Sequence, residues 1–248
     1  MAPTARPGSK PGKIGRVVAR LGCEIASGTV PVGTTLPAEP DLERQFGAGR
    51  SVIREAVKIL AGKGLVSVGP RIGTRVRPRR DWSLLDHDVL AWLGRGGLDR
   101  ELLLALDETR GIIEPAAAAL AAERATRADI ALIRGAYESM VADAADVERA
   151  TAADKAFHLA VLDATHNPVL GSFRSAIDAI LGAVFEATVP MLIPNLPNHE
   201  AVAIAIERRD PVAARAAMDR LLDRTHRLIA GEGEPIESAP AASRRQVS

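Results

Sequence analysis

Arg50-Ser-Val-Ile-Arg-Glu-Ala-Val-Lys-Ile-Leu-Ala-Gly-Lys-Gly-Leu-Val-Ser-Val68 holds a complete helix followed by a short β pattern. At 100° per residue, Val52, Ile53, Ala56, Val57 and Leu60 form one apolar arc, while Arg50, Ser51, Arg54 and Lys58 fall on the opposite side. Gly64 ends that helix. Beyond it, Leu65-Val66-Ser67-Val68 and Thr74-Arg75-Val76 read as two strands around Gly69-Pro-Arg-Ile-Gly73, a hairpin with a basic tip. Upstream, Ile14, Val17, Val18, Leu21 and Ile25 recur at three- and four-residue steps between Lys13 and Gly28. Leu36-Pro-Ala-Glu39 opens a second, shorter helix carrying Leu42 and Phe46, which Gly47 closes. Three short helices and a basic hairpin over residues 13–80 predict a winged helix-turn-helix. In that fold the third helix enters the major groove of double-stranded DNA and the wing follows the backbone.

Charge agrees with this reading. Residues 1–80 carry 15 Lys and Arg against 5 Asp and Glu; residues 81–248 carry 17 against 26. The chain's formal charge of +1 conceals a basic module joined to an acidic one. An arginine fork on the third helix can bind guanine O6 and N7, worth about 1–3 kcal/mol of discrimination. Arg71, Arg75, Arg77, Arg79 and Arg80 suit phosphates instead. A solvated helix face that merely carries arginines is the plain alternative. Residues 1–12 read as a flexible basic tail without a signal-peptide stretch, and no apolar run approaches the roughly 20 residues of a membrane span. A cytoplasmic protein with no membrane partner is expected. The lone Cys23 reads as a small buried apolar side chain.

Residues 81–100 read as a joint, with a short amphipathic helix through Leu84, Leu85, Val89, Leu90, Trp92 and Leu93. Both tryptophans, Trp82 and Trp92, lie here, and aromatics beside a boundary often bury an interdomain contact. His87 reads as a surface histidine. Residues 101–230 predict an all-helical bundle with helices at about 101–124, 127–144, 147–165, 168–188, 199–208 and 211–229. Pro115 predicts a kink in the first of these. Residues 231–248 are small and polar and read as a disordered tail. The expected fold class is thus mainly α: an N-terminal winged helix-turn-helix and a C-terminal all-helical bundle.

Polar residues interrupt the apolar faces of that bundle. Asp154 and His158 share a face with Phe157, Val161 and Leu162; His199 shares one with Val202, Ala203 and Ile206; Arg110 and Glu114 follow the stripe of Leu103, Leu106 and Ile113. Unpartnered, such groups would cost several kcal/mol each, so they must meet one another, a metal or a ligand. An Asp/His pair at i,i+4 with a third nitrogen from another helix suits a divalent transition metal such as zinc. A purely structural hydrogen-bonded pair has the same spacing.

Leu36-Pro-Ala-Glu39, Arg50-Ser-Val-Ile-Arg-Glu-Ala56, Leu60, Gly64-Leu-Val66 and Gly73-Thr74 resemble the DNA-binding domain of GntR-family transcription regulators. The resemblance implies operator contact by Arg50, Ser51, Val52 and Arg54, and by the wing near Arg71 to Gly73; Lys58 joins them on the exposed arc. Two positions depart from the family pattern: Gly49 replaces the usual Ser or Thr cap, and Pro40 replaces a DNA-contacting arginine. Arg110-Gly-Ile-Ile-Glu114, Asp154-Lys-Ala-Phe-His158, Asn167 and the run from His199 resemble the FCD effector domain of the FadR-type members. That implies Asp154, His158 and His199 as metal ligands, with Arg110, Asp154, His158, Asn167 and His199 around a small carboxylate effector. Where the family has a further histidine this chain has Leu221, and His226 stands five residues on. Trp82-Ser-Leu-Leu-Asp-His-Asp-Val-Leu-Ala-Trp92 and His166-Asn-Pro-Val-Leu170 are similar to members that govern sugar-acid catabolism, implying a galactonate-like aldonate effector.

The function expected is a homodimeric transcription repressor on an inverted-repeat operator, released by its effector. Activation by effector has the same signature. Two readings of other classes remain beside it: a metal-dependent enzyme using Asp154, His158 and His199 to activate water on a small hydroxy acid, and an effector-independent DNA binder.

Overall fold

The computed structural model describes residues 12–70, 72–96 and 98–232. The expected tails at 1–12 and 231–248 fall almost wholly outside them, as does Arg71 at the tip of the hairpin. Helices α1 (Lys13–Ala26), α2 (Glu39–Phe46) and α3 (Arg50–Gly62) precede strands β1 (Val66–Gly69) and β2 (Gly73–Val76). The strands pair antiparallel, Val66 opposite Val76 and Gly69 opposite Gly73. Gly47 and Gly64 close their helices with φ of 56° and 79°, conformations in which a Cβ would be strained. Gly49 caps α3 without a side-chain hydrogen bond, the consequence of the missing hydroxyl. The arc foreseen for α3 is observed: Ile53, Ala56, Val57 and Leu60 are buried, and Arg50, Ser51, Arg54 and Lys58 are exposed. Cys23 is half-buried against the same core.

Helix α4 (His87–Gly96) forms the joint, about three residues later than the sequence pattern placed it. Its buried face is Val89, Leu90, Trp92 and Leu93. Trp82 is also buried and donates its Nε1–H to the carbonyl of Arg77 at 2.9 Å. Helices α5 (Arg100–Arg124), α6 (Arg127–Ala142), α7 (Val147–Asp163), α8 (Pro168–Ser172), α9 (Arg174–Thr188), α10 (Leu196–Glu207) and α11 (Pro211–Ala230) make the bundle. Asp99, Thr126, Asp146, Asn167 and Asp210 cap α5, α6, α7, α8 and α11 with their side chains. Two boundaries differ from expectation. The helix foreseen at 168–188 is two helices, with Phe173 between them following Gly171 and Ser172, poor residues for continuing a first turn. Helix α10 starts at Leu196, not 199, because Pro197 fits the first turn and Asn195 precedes it. Pro115 sits inside α5, which runs on without interruption. No helix among the described residues is long and apolar enough to cross a membrane.

Two apolar cores organise the chain. One holds the inner faces of α5, α6, α7, α10 and α11, from Ala118 through Phe157 to Leu222. The other is continuous from Val17, Leu21 and Leu60 through Trp82, Leu90 and Trp92 to Ile177, Ile180 and Val184. The basic head, the joint helix and α9 therefore share one core. Helix α4 is wedged at close quarters: a Cβ on Gly22 of α1 would lie 2.5 Å from the Trp92 ring, and one on Gly94 would lie 3.4 Å from Ala183 of α9. Gly22→Ala is expected to lower stability by about 1–3 kcal/mol through overpacking, since the indole must shift. A thermal midpoint equal to that of the unaltered chain would show that α4 does not press on α1 this closely.

Candidate functional site

The head presents one exposed basic face. Arg50 and Arg54 are one turn apart on α3, and both lean on Glu39 of α2, with Nε to carboxylate distances of 3.2 and 3.6 Å. Lys58 lies 3.8 Å from Glu55. Exposed pairs of this kind contribute at most about 1 kcal/mol, so these cations can exchange their carboxylates for phosphates or bases at little cost. Val52 is half-buried at the edge of the arc, and Gly73 stands exposed beside the tip of the wing with φ of 79°. Other basic residues are otherwise engaged. Arg75 donates to the Gly33 carbonyl at 2.7 Å, Arg77 pairs with Asp81 at 3.2 Å, and Arg79 pairs with Asp99. Their side chains thus brace the wing and the joint, a role the charge pattern alone did not separate from phosphate contact.

The second site lies within the bundle. Asp154 and His158 come from α7 and His199 from the first turn of α10; their ligand atoms all lie within 4.8 Å of one another. His199 Nε2 is 2.9 Å from Asp154 Oδ1, and His158 Nε2 is 3.7 Å from the same oxygen. Phe157, fully buried, meets both imidazoles edge to face at centroid distances of 5.8 and 5.1 Å and fixes their planes. The other nitrogen of each ring is held from behind. His199 Nδ1 lies 3.0 Å from the Asn195 carbonyl, which accepts its proton. His158 Nδ1 lies 2.5 Å from Glu114 Oε2, a close electrostatic contact without the alignment of a hydrogen bond. In both rings Nδ1 faces an oxygen behind it and Nε2 points toward Asp154.

Glu114 is itself clamped. Its Oε1 accepts from Arg110 Nε at 2.7 Å, and only 4 and 5% of the two side chains is exposed. Burial by itself pushes the Glu114 carboxyl up, but the Arg110 guanidinium and His158 outweigh it and hold the group at about 2. Asp154 follows the same pattern: burial raises it, while His199, His158 and Arg110 bring it to about 2. Arg110 is destabilised as a cation by burial and more than restored by Glu114, with Asp154 and Asp107 adding to the effect.

Arg110, Asp154, His158 and His199 line a cavity of about 30 Å³ with Thr151, Lys155, Leu181, Val184, Met191, Leu192, Asn195, Leu221 and Thr225. That is room for about two water molecules. The donor set suits a divalent transition metal: two imidazole nitrogens and a carboxylate converge, and the Nε2 atoms of His158 and His199 are buried without an aligned hydrogen-bond partner.

Of the residues singled out from sequence, Arg110, Asp154, His158 and His199 come together. Asn167 does not. Its Oδ1 accepts from the amides of Val169 and Leu170 at 3.0 and 3.3 Å, so it is a helix cap away from the cavity wall. His226 is no substitute ligand: its Nδ1 meets the buried Asp107 at 2.9 Å in a separate groove between α5 and α11. Leu221 is buried in the cavity wall, and its carbonyl accepts from Asn195 Nδ2 at 3.1 Å. Thr151, Lys155, Asn195 and Thr225 were missed. Thr151 lies one turn before Asp154 and was available to the same periodicity argument; Asn195 was hidden by the late start assigned to α10.

The description "Bacterial regulatory proteins, gntR family" matches residues 13–76, and "FCD domain" matches residues 106–224. The galactonate operon transcriptional repressor of Escherichia coli is 39% identical over 221 residues, which cover 87% of this chain and 96% of that protein. The Glc operon transcriptional activator of the same organism is 31% identical over 207 residues, covering 79% and 76% respectively. A solved structure of Lar from Listeria monocytogenes superposes with a TM-score of 0.64 over 90% of this chain and 99% of that one, at 19% identity. It shares the fold.

Glu114→Gln tests the clamp. It leaves Arg110 buried without a full counter-charge, so urea unfolding at pH 7 is expected to show a loss on the order of 3–5 kcal/mol. Because the folded carboxyl sits at about 2 against an ordinary 4.5, the stability it brings is complete above about pH 4.5 and drains as pH falls toward 2. The variant should therefore lose less between those values than the unaltered chain. Equal stability at pH 7 and an unchanged acid limb would contradict the clamp.

Proposed function

The chain belongs to the GntR family of bacterial transcription regulators and carries an FCD domain, and from that we propose that it is a repressor which leaves its operator when a sugar acid occupies the bundle cavity. This replaces the enzymatic reading of Asp154, His158 and His199. What carries the effector reading is the convergence of those three side chains with Arg110 on one polar cavity deep in the fold. Asp154, His158 and His199 would hold a divalent metal, which would supply positive charge for a carboxylate and adjacent hydroxyls. Thr151, Asn195 and Thr225 offer hydrogen bonds to the remaining hydroxyls. The identity to a galactonate operon repressor favours an aldonate.

On the DNA side, Arg50 and Arg54 read base edges, Ser51, Val52 and Lys58 line the same face, and Gly73 brings the wing backbone to the phosphates. The outward charges of α3 and the net charge of the head supply the attraction. Two copies on an inverted repeat give each half-site one recognition helix. Since the cavity has room for about two waters, an aldonate is admitted only as the wall formed by Val184, Met191 and Leu192 moves. That displacement is what makes the ligand prefer one arrangement of the joint over another.

One experiment tests both halves: fluorescence anisotropy of operator DNA bound to zinc-loaded protein, titrated with a panel of aldonates that includes galactonate. Release by at least one sugar acid, abolished by chelator, is expected. Arg54→Ala should lose about 10- to 100-fold in operator affinity while keeping its folded spectrum. Insensitivity to every aldonate, with zinc bound, would favour an effector-independent DNA binder.

A further inference from the structure

Helix α9 stands between the cavity and the joint. Leu181 and Val184 face the cavity, while Asp178, Ala179, Gly182 and Ala183 line a cleft against His87, Ala91, Gly94 and Arg95 of α4. One side chain reaches both spaces: Lys155 of α7, next to Asp154 in sequence, lines the cavity and the cleft alike. Its Nζ lies 3.0 Å from Asp178 Oδ1, and the other Asp178 oxygen lies 3.5 Å from His87 Nε2 on α4.

The two cations of the cavity differ in how firmly they are held. Arg110 is locked to Glu114 deep in the interior, with 4% of its side chain exposed. Lys155 is one-third exposed, and its partner lies on a different helix. A carboxylate arriving in the cavity can recruit Lys155 far more readily than Arg110, because the lysine leaves a solvated partner while Arg110 would strand a buried one. Lysine, with four rotatable stem bonds and a compact charge, can swing between two acceptors.

Resting on the repressor reading above, we propose that Lys155 contacts the effector's carboxylate, and that the Lys155–Asp178 ion pair is the latch through which the cavity controls the joint. Without effector, the pair ties α7 to α9 and holds α9 against α4. With effector, Lys155 turns into the cavity and Asp178 is left with His87. Helix α9 is then free to follow the moving wall at Val184. The shift is passed on where Gly94 of α4 faces Ala183 of α9, and through Trp92, which presses on Gly22 of α1. Lys155 is therefore both a ligand contact and the origin of the signal.

The test uses the full-length, zinc-loaded protein with galactonate as probe. Galactonate binding is read by calorimetry, operator binding by anisotropy, and the joint by intrinsic fluorescence, since Trp82 and Trp92 are the chain's two tryptophans and both belong to it. Opening the latch by Asp178→Asn is expected to weaken operator binding without effector by about tenfold, and galactonate's further effect on the operator should shrink by a comparable factor. The same variant should bind galactonate at least as tightly as the unaltered chain, a combination that simple structural damage does not produce. Its fluorescence without ligand should already resemble the galactonate-bound spectrum. Lys155→Met should weaken galactonate binding by about tenfold, with partial recovery in Lys155→Arg. Operator affinity, galactonate response and fluorescence of Asp178→Asn all equal to those of the unaltered chain would overturn the latch while leaving the effector reading intact. Failure of galactonate and every other aldonate to bind the unaltered chain would overturn the effector reading, and the latch with it.

Discussion

The Glu114 carboxylate, caught between the Arg110 guanidinium and the His158 ring in the interior of the bundle, is the contact on which the rest of the site depends. Three consequences follow from its remaining ionised. It neutralises a buried arginine that could not otherwise sit beneath 5% exposure. It engages His158 Nδ1, and so leaves Nε2 facing Asp154 and His199. It also engages Arg110, so that the cavity's more available cation is a lysine at the rim. Apolar side chains would suit a core better than this group, and the convergent ends of His158, His199 and Asp154 are what a ligand in the cavity would meet.

Transmission rests on a different constraint, close packing at glycine. Helix α4 meets α1 at Gly22, where the Trp92 ring occupies the volume of an absent side chain, and faces Ala183 of α9 across Gly94 with room for little more than a methyl group. The contact at Gly22 has no slack. With one apolar core running from α1 through α4 to α9, displacement of α9 cannot be absorbed locally and must move the head. The two cores of the chain thereby divide the labour: one builds the pocket, and the other couples it to the recognition helix.

Much of this was legible in the sequence because it is local. The arc of α3, the glycines that close α2 and α3, and the Asp210-Pro211 start of α11 depend on neighbours within a few residues. Asp154 and His158 announced themselves as polar residues on a buried face. What was misread also has local causes. Asn167, directly before Pro168, is a cap and not a ligand-facing amide, while Pro197 marks the first turn of α10 and places Asn195 just ahead of it. Arg77 and Arg79 were grouped with the DNA-facing cations because their acidic partners, Asp81 and Asp99, bind them only once the joint is folded. Lys155 was invisible for a stronger reason: its significance comes from which two spaces it borders, and that is set by the packing of α7 on α9. Leu221, at the position where the family resemblance implied a further histidine, is an apolar part of the cavity wall.

The account turns on whether the ends of Asp154, His158 and His199 gather a metal. Anomalous diffraction at the zinc edge, from crystals grown with zinc and without chelator, measures this directly. A single strong peak bonded to His158 Nε2, His199 Nε2 and an Asp154 oxygen is the result expected. Zinc bound elsewhere in the chain, with His158 and His199 closed on each other through Asp154 alone, would contradict it.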